Sequence, residues 1–143
     1  VPTKAVLGID FAGNMVEKLV ASNPMEIILP ANGALTAGDF VNIFDYYGNL
    51  NARRALADAE GKEAHGFVLE DVDDLGDATV ICGGINDQLS GLAGGPYMYL
   101  SATVPGGVSA APPDTVGHIV QIIGWRLSDT KLHFQPQTPI ELA

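Results

Sequence analysis

If this chain does chemistry, it must come from three histidines, one cysteine and one dense acidic run. His65, His118 and His133 are scattered, with no H-x-x-x-H and no Cys/His spacing of the kind a zinc site needs. His65 and His118 precede strand-like runs, where a surface or interface role is the simpler reading. The acidic run Glu70-Asp71-Val72-Asp73-Asp74-Leu75-Gly76-Asp77 starts like a calcium loop, with Asp71, Asp73 and Gly76 at relative positions 1, 3 and 6. Position 5 is Leu75 and position 12 is Cys82, where that loop requires an oxygen ligand and a bidentate Glu. It reads as a solvated turn between strands, with a weak hard-cation site as the alternative. Cys82 ends the apolar run Ala78-Thr79-Val80-Ile81 and reads as a small buried hydrophobe rather than a reactive thiol. No nucleophile elbow, phosphate loop or dinucleotide fingerprint occurs, so Gly83-Gly84 and Gly91 to Gly95 read as backbone turns. Nothing favours a paired-carboxylate glycosidase. No catalytic, metal or cofactor-binding residue is assigned, and an enzyme is the weakest reading.

Other residues suit binding better than reaction. Trp125, flanked by Ile122, Ile123, Gly124 and Leu127, reads first as core packing and second as an interface anchor. Arg53-Arg54 is the single basic doublet, either solvated or paired with an acidic neighbour on another subunit. Tyr46, Tyr47, Tyr97 and Tyr99 are candidate exposed aromatics. The net charge of -10 disfavours nucleic acid and anionic membranes, because such affinity rests on cationic side chains. Hydrophobic residues make up 47% of a 143-residue chain, and mean hydropathy is +0.20. That is more apolar surface than a small monomer hides easily, so part of it is expected to meet other subunits. No apolar run approaches the roughly 18 residues of a membrane span. The start at Val1-Pro2, with no leader pattern and no Asn-x-Ser/Thr sequon, gives the expectation of a protein made in a cytoplasm.

The elements that would position these residues are short and mostly extended. Residues 1–24 read as an N-terminal arm, with an extended stretch Lys4-Asp10 and one or two amphipathic turns through Met15, Val16, Leu19 and Val20. Residues 25–143 read as a single β domain. Met25-Leu29 is a strand stopped by Pro30 and the Asn32-Gly33 turn. Phe40-Phe44 follows, with Phe40, Asn42 and Phe44 on one face. An Asn on that face implies only partial burial there. Further strands are expected at Tyr97-Leu100, His118-Trp125 and Lys131-Phe134, each bounded by Gly, Pro, Ser or Asp.

An internal repeat organises the chain, spanning approximately 35–82 and 91–136. Ala37-Gly38 aligns with Ala93-Gly94 at an offset of 56, and Gly66-Phe67 aligns with Gly124-Trp125 at an offset of 58. Thr79-Val80-Ile81 then aligns with Lys131-Phe134. Arg53-Lys62 has helix propensity, but its counterpart contains Pro112-Pro113, which no full helix tolerates. Asn51-Ala57 is therefore expected as strand and Asp58-Glu63 as at most one helical turn. The fold class is mainly β, a small barrel or sandwich of two similar strand units with at most one or two short helices.

The residues Gly94-Gly95-Pro96-Tyr97-Met98-Tyr99-Leu100, Pro105-Gly106-Gly107, Pro112-Pro113, His118 to Trp125 and Leu132-His133-Phe134-Gln135-Pro136 together resemble the capsid cement (head decoration) proteins of tailed bacteriophages. Ala37 to Val41 and His65 to Val68 are similar to the first half of that family's domain, and the likeness spans roughly residues 25–143. The resemblance implies a structural virion protein without enzymatic activity, assembled in a bacterial cytoplasm and bound to the capsid exterior. Its partner would be the major capsid protein, bridged and stabilised at neighbouring subunits of the expanded head. It also implies a homo-oligomer, a trimer in preference, touching neither nucleic acid nor membrane. Candidate interface residues are Tyr46, Tyr47, Arg53, Arg54, Tyr97 and Tyr99, with the N-terminal arm lying on the capsid or a neighbour. Two readings compete: a phage head-tail connector or tail structural protein, and a glycan- or cell-surface-binding β module whose aromatics would share one exposed face.

Overall fold

A computed structural model describes residues 25–143 of the chain; the expected arm at 1–24, with its helical turns, lies outside the described residues. The described chain is all β, with 41% strand and no helix. Twelve strands follow in order: β1 (Glu26–Pro30), β2 (Phe40–Tyr46), β3 (Asn49–Arg54), β4 (Gly66–Phe67), β5 (Asp77–Ile81), β6 (Gly84–Asn86), β7 (Tyr97–Leu100), β8 (Val108–Ser109), β9 (Ile119–Val120), β10 (Ile122–Arg126), β11 (Leu132–Phe134) and β12 (Ile140–Glu141). They form antiparallel sheets of five, five and two strands.

The first sheet has the order β1-β5-β4-β2-β3 and the second β6-β11-β10-β7-β8. Counted along the chain, β6, β7, β8, β10 and β11 occupy the places of β1 to β5. The two halves thus share one topology, and the aligned Gly66 and Gly124 lie in equivalent strands β4 and β10. Both glycines are required by close approach. A Cβ on Gly66 would meet Val80 Cγ1 at 2.5 Å and the Ile81 carbonyl at 2.8 Å, and one on Gly124 would overlap the His133 carbonyl. In each half the obstacle belongs to the neighbouring strand, β5 or β11.

Neither sheet closes into a barrel. The first sheet rolls until its edges touch once, where Ala31 bridges Ala52 and the Asn32 amide donates to the Ala52 carbonyl at 2.7 Å. Inside the roll lie Leu29, Ala31, Leu35, Val41, Ala52, Val68, Ala78 and Val80. Three alanines in eight positions let the backbone turn this tightly. A second cluster lies between the sheets, where Phe40 and Phe67 meet Phe134 at ring-centroid distances of 5.6 and 5.5 Å. Met98, Leu100, Ile123 and Leu132 complete it from the second sheet. The alternation in β2 serves both, Phe40 facing the second sheet and Val41 the roll.

Two sequence expectations need correction. Strand β3 stops at Arg54, three residues short of Ala57; the non-helical turn after it stays within the expectation of at most one helical turn. Ala55 to Ala57 leave the sheet to join the halves: Ala55 N donates to Phe40 O, Gly106 N to Ala55 O, Ala57 N to Ser101 O and Ile119 N to Ala57 O, all within 3.0 Å. Alanine is used here for its small size between packed strands, so its helix propensity decides nothing. Asn42 is fully buried instead of half-exposed. Its amide donates to the Glu63 carbonyl at 2.8 Å and its oxygen accepts from Arg53 Nε at 2.9 Å, which removes the cost of enclosing it.

Replacing Gly124 with Ala is expected to destabilise the fold by about 3 kcal/mol, since β11 backbone must move. Gly95→Ala, with open space around its Cβ, should stay within about 0.5 kcal/mol of the parent. Urea unfolding of both variants checks this pair.

Candidate functional site

Two surfaces gather the candidate residues, and they arise from different local rules. The first is the tip of the β2–β3 hairpin. Tyr46 pairs with Asn49 across a two-residue loop, Tyr47-Gly48, in which both residues have positive φ, 52° and 88°. That is the signature of a type I′ turn, whose twist matches the flanking strands. Asn or Asp usually fills the first position; a tyrosine there costs about 1–2 kcal/mol of backbone strain. Tyr47 is nonetheless 90% exposed, so no burial within the described chain offsets that strain.

An aromatic ladder leads to this tip from the core. Phe40, Asn42, Phe44 and Tyr46 share one face of β2. Beyond the buried Phe40 and Asn42, the Phe44 and Tyr46 rings meet edge-on at 6.0 Å, and Tyr46 meets Tyr47 at 4.7 Å. The Arg53 guanidinium lies 4.1 Å from the Phe44 ring centroid while Nη2 donates to the Gly61 carbonyl at 3.3 Å. The base of the hairpin is therefore fixed, and every residue from Asp45 to Leu50 is exposed.

The second surface is the outer face of the second sheet. Register places Ile85 beside His133, His133 beside Trp125, and Trp125 beside Tyr97. Tyr99 and Ile122 form a shorter row on the same face. The Trp125 and His133 rings are 4.6 Å apart and nearly perpendicular. Trp125 is half-buried on this face rather than in the core, and a bulge is the cause. Pairing of β10 with β7 shifts register between Ile122 and Gly124. Ile123 turns inward and Trp125 outward, although residues two apart in a regular strand share a face.

The six candidate interface residues divide accordingly. Tyr46, Tyr47 and Arg53 come together at the hairpin; Tyr97 and Tyr99 lie on the second sheet. Arg54 joins neither, because its Nε donates to Asp39 Oδ2 at 2.7 Å and Nη2 to Thr36 Oγ1 at 3.0 Å. Both arginines thus have partners within the chain, while the Arg54 side chain stays 39% exposed to solvent. Phe44, Leu50, Ile85 and His133 were missed as surface candidates. Period-2 alternation relates Phe44 to Tyr46, but only cross-strand register, which no local pattern carries, brings Ile85 and His133 to Trp125.

Several of the groups singled out for chemistry hold structure. Asp71 Oδ1 accepts the Ala37 amide and Asp74 Oδ1 the Gly33 amide, both at 2.8 Å, so the acidic run clamps the 33–37 loop. Glu26, Glu70, Asp71 and Asp77 line a cleft of about 220 Å³ with Val68, Leu69, Val72, Thr79 and Ile81. Among the described residues, no three His, Cys, Asp or Glu are grouped to hold a metal ion. His65 Nδ1 accepts the Ile43 amide at 2.9 Å, which places its neutral-form proton on Nε2, 3.5 Å from Glu63 Oε2. His118 takes part in backbone bonds with Thr115 and Leu142 near the C-terminus. Burial pushes the Cys82 thiol above its ordinary range, away from the reactive thiolate.

Comparison with protein-family models, with curated proteins and with solved structures gives no match to this chain.

In the folded protein, Cys82 should react with iodoacetamide more slowly than in urea-unfolded chain at pH 8. The midpoint of its rate-against-pH curve should lie above that of a free cysteine. A midpoint below it would contradict the assigned environment.

Proposed function

We propose that this chain is a structural virion protein that binds the outer surface of a phage capsid, bridging neighbouring major-capsid subunits and stabilising the expanded head. The observation that carries the reading is the β2–β3 hairpin tip. Tyr47 is held in a strained conformation, 90% exposed, at the tip of a braced hairpin. Strain at an exposed aromatic fits a residue that serves contact rather than stability. Tyrosines are also frequent anchors of protein interfaces, where burying one ring contributes about 1.5–3 kcal/mol. The all-β architecture agrees with the small β domain that the resemblance to cement proteins, read from residues 25–143, implies.

The mechanism is mass action. A protein that binds the expanded shell and not its alternatives stabilises it by RT ln(1 + [L]/Kd) per site. Many sites per shell make a modest affinity sufficient. The acidic surface, net -10, suits a role in which packaged DNA is never touched.

Co-sedimentation with expanded capsids tests the reading. The parent chain should pellet with capsids at saturable copy number. Tyr47→Gly should weaken binding about tenfold, or about 1.4 kcal/mol per site, while the fold stays as stable or gains up to about 1 kcal/mol from relief of the turn. Parent protein left in the supernatant at all concentrations would refute capsid binding. Undiminished binding of Tyr47→Gly would refute the hairpin as its anchor.

A further inference from the structure

Asn32-Gly33 is the single Asn-Gly pair of the chain. Such a pair is chemically labile, because a glycine nitrogen reaches the preceding side-chain amide with no Cβ in the way. The new bond joins Gly33 N to Asn32 Cγ, the Cγ–Nδ2 bond breaks, and ammonia leaves carrying the proton given up by Gly33. Water then opens the cyclic imide at either carbonyl, which leaves aspartate or isoaspartate at position 32. Access is open at this turn. Gly33 and Ala34 are exposed, Gly33 has a φ of 91°, and a Cβ built on it would meet nothing within 4 Å. Two bonds nonetheless hold the peptide unit that the attack must turn. Asn32 N donates to Ala52 O at 2.7 Å, and Gly33 N donates to Asp74 Oδ1 at 2.8 Å.

We propose that Asn32 is a self-modification site of this chain and that Asp74 holds the reaction in check. Attack needs the Gly33 nitrogen without its proton, and the Asp74 carboxylate keeps that proton in a charge-assisted bond. A carboxylate is far too weak a base to take a proton from a peptide nitrogen, and its charge opposes an anion forming beside it. Asp74 therefore stabilises the unreactive form. The product matters because of where the pair sits. Ala31 bridges Ala52 where the edges of the first sheet meet, and Leu75 N donates to Ala31 O at 2.9 Å. Isoaspartate lengthens the backbone by a methylene at that seam, and either product adds a carboxylate to the loop that Asp74 clamps. Conversion of Asn32 is thus a chemical route to opening the roll. The proposal stands apart from the capsid reading and needs no capsid to test.

The whole chain is held at mildly alkaline pH, folded or in urea, and conversion of Asn32 is followed by mass-spectrometric peptide mapping. Enzymatic methylation reads the isoaspartate. Folded parent should convert Asn32 about tenfold more slowly than unfolded parent. Asp74→Ala should convert about tenfold faster than folded parent, and Asp74→Asn, which keeps an acceptor oxygen without the charge, should fall between. Asp71→Ala removes the neighbouring bond to the Ala37 amide and leaves the Gly33 bond in place, so it should react as slowly as the parent. Circular dichroism checks that each variant is folded, and Asp74→Asn carries the comparison where Asp74→Ala is not. Equal rates in folded and unfolded parent would overturn the proposal, as would unchanged rates in the Asp74 variants. The same acceleration in Asp71→Ala would overturn it in favour of general loosening of the loop. Faster conversion in folded parent than in urea would overturn it by making Asp74 a base. Parent converted at Asn32 should unfold at lower urea than unconverted parent; equal midpoints would overturn the opening of the roll.

Discussion

Gln121 is enclosed between the two halves, 2% exposed, and its side-chain amide behaves as a piece of strand. Its oxygen accepts the Ala64 amide at 2.8 Å, and its nitrogen donates to the Ala64 carbonyl at 3.0 Å and the Gln137 carbonyl at 3.3 Å. Without this residue, both backbone groups of Ala64 would be buried and unpaired, at about 1–3 kcal/mol each. Asn86 does similar work elsewhere on the seam, donating to the Gly38 carbonyl at 2.9 Å. Around these amides pack Phe40, Phe67 and Phe134. Directional bonds set how one half sits on the other, and the rings exclude water from them. No buried side-chain polar atom among the described residues lacks a partner.

This seam fixes both candidate surfaces. The hairpin tip is an outward extension of the face of β2 whose inner end, Phe40, lies in the inter-sheet core. The outer face of the second sheet is the reverse side of strands whose inner residues, Met98, Leu100, Ile123, Leu132 and Phe134, fill that core. The two surfaces differ in kind: one is a narrow projecting tip, the other a broad and weakly charged face.

Much of the fold was legible. Turn chemistry bounded the strands at Met25-Leu29, Phe40-Phe44, Tyr97-Leu100 and Lys131-Phe134 to within a residue or two, and the aligned glycines occupy equivalent strands of two sheets with one topology. What failed depended on partners distant in sequence. Asn42 looked half-exposed because its partners, Glu63 and Arg53, lie 21 and 11 residues away. The extended strand through Ala57 was lost to backbone bonds with Ser101 and Ile119. Trp125 looked like core because a bulge leaves no mark in local periodicity. At the surface, Tyr46, Tyr47, Tyr97 and Tyr99 were found by type alone, and their division into two patches came only from register.

The central claim is that the hairpin tip carries the contact with the capsid. Oxidative footprinting of Tyr47 tests it most directly, in free protein and on expanded capsids. The account predicts that Tyr47 is oxidised in free protein at every concentration and protected on capsids. Exposure of Tyr47 on saturated capsids would contradict it.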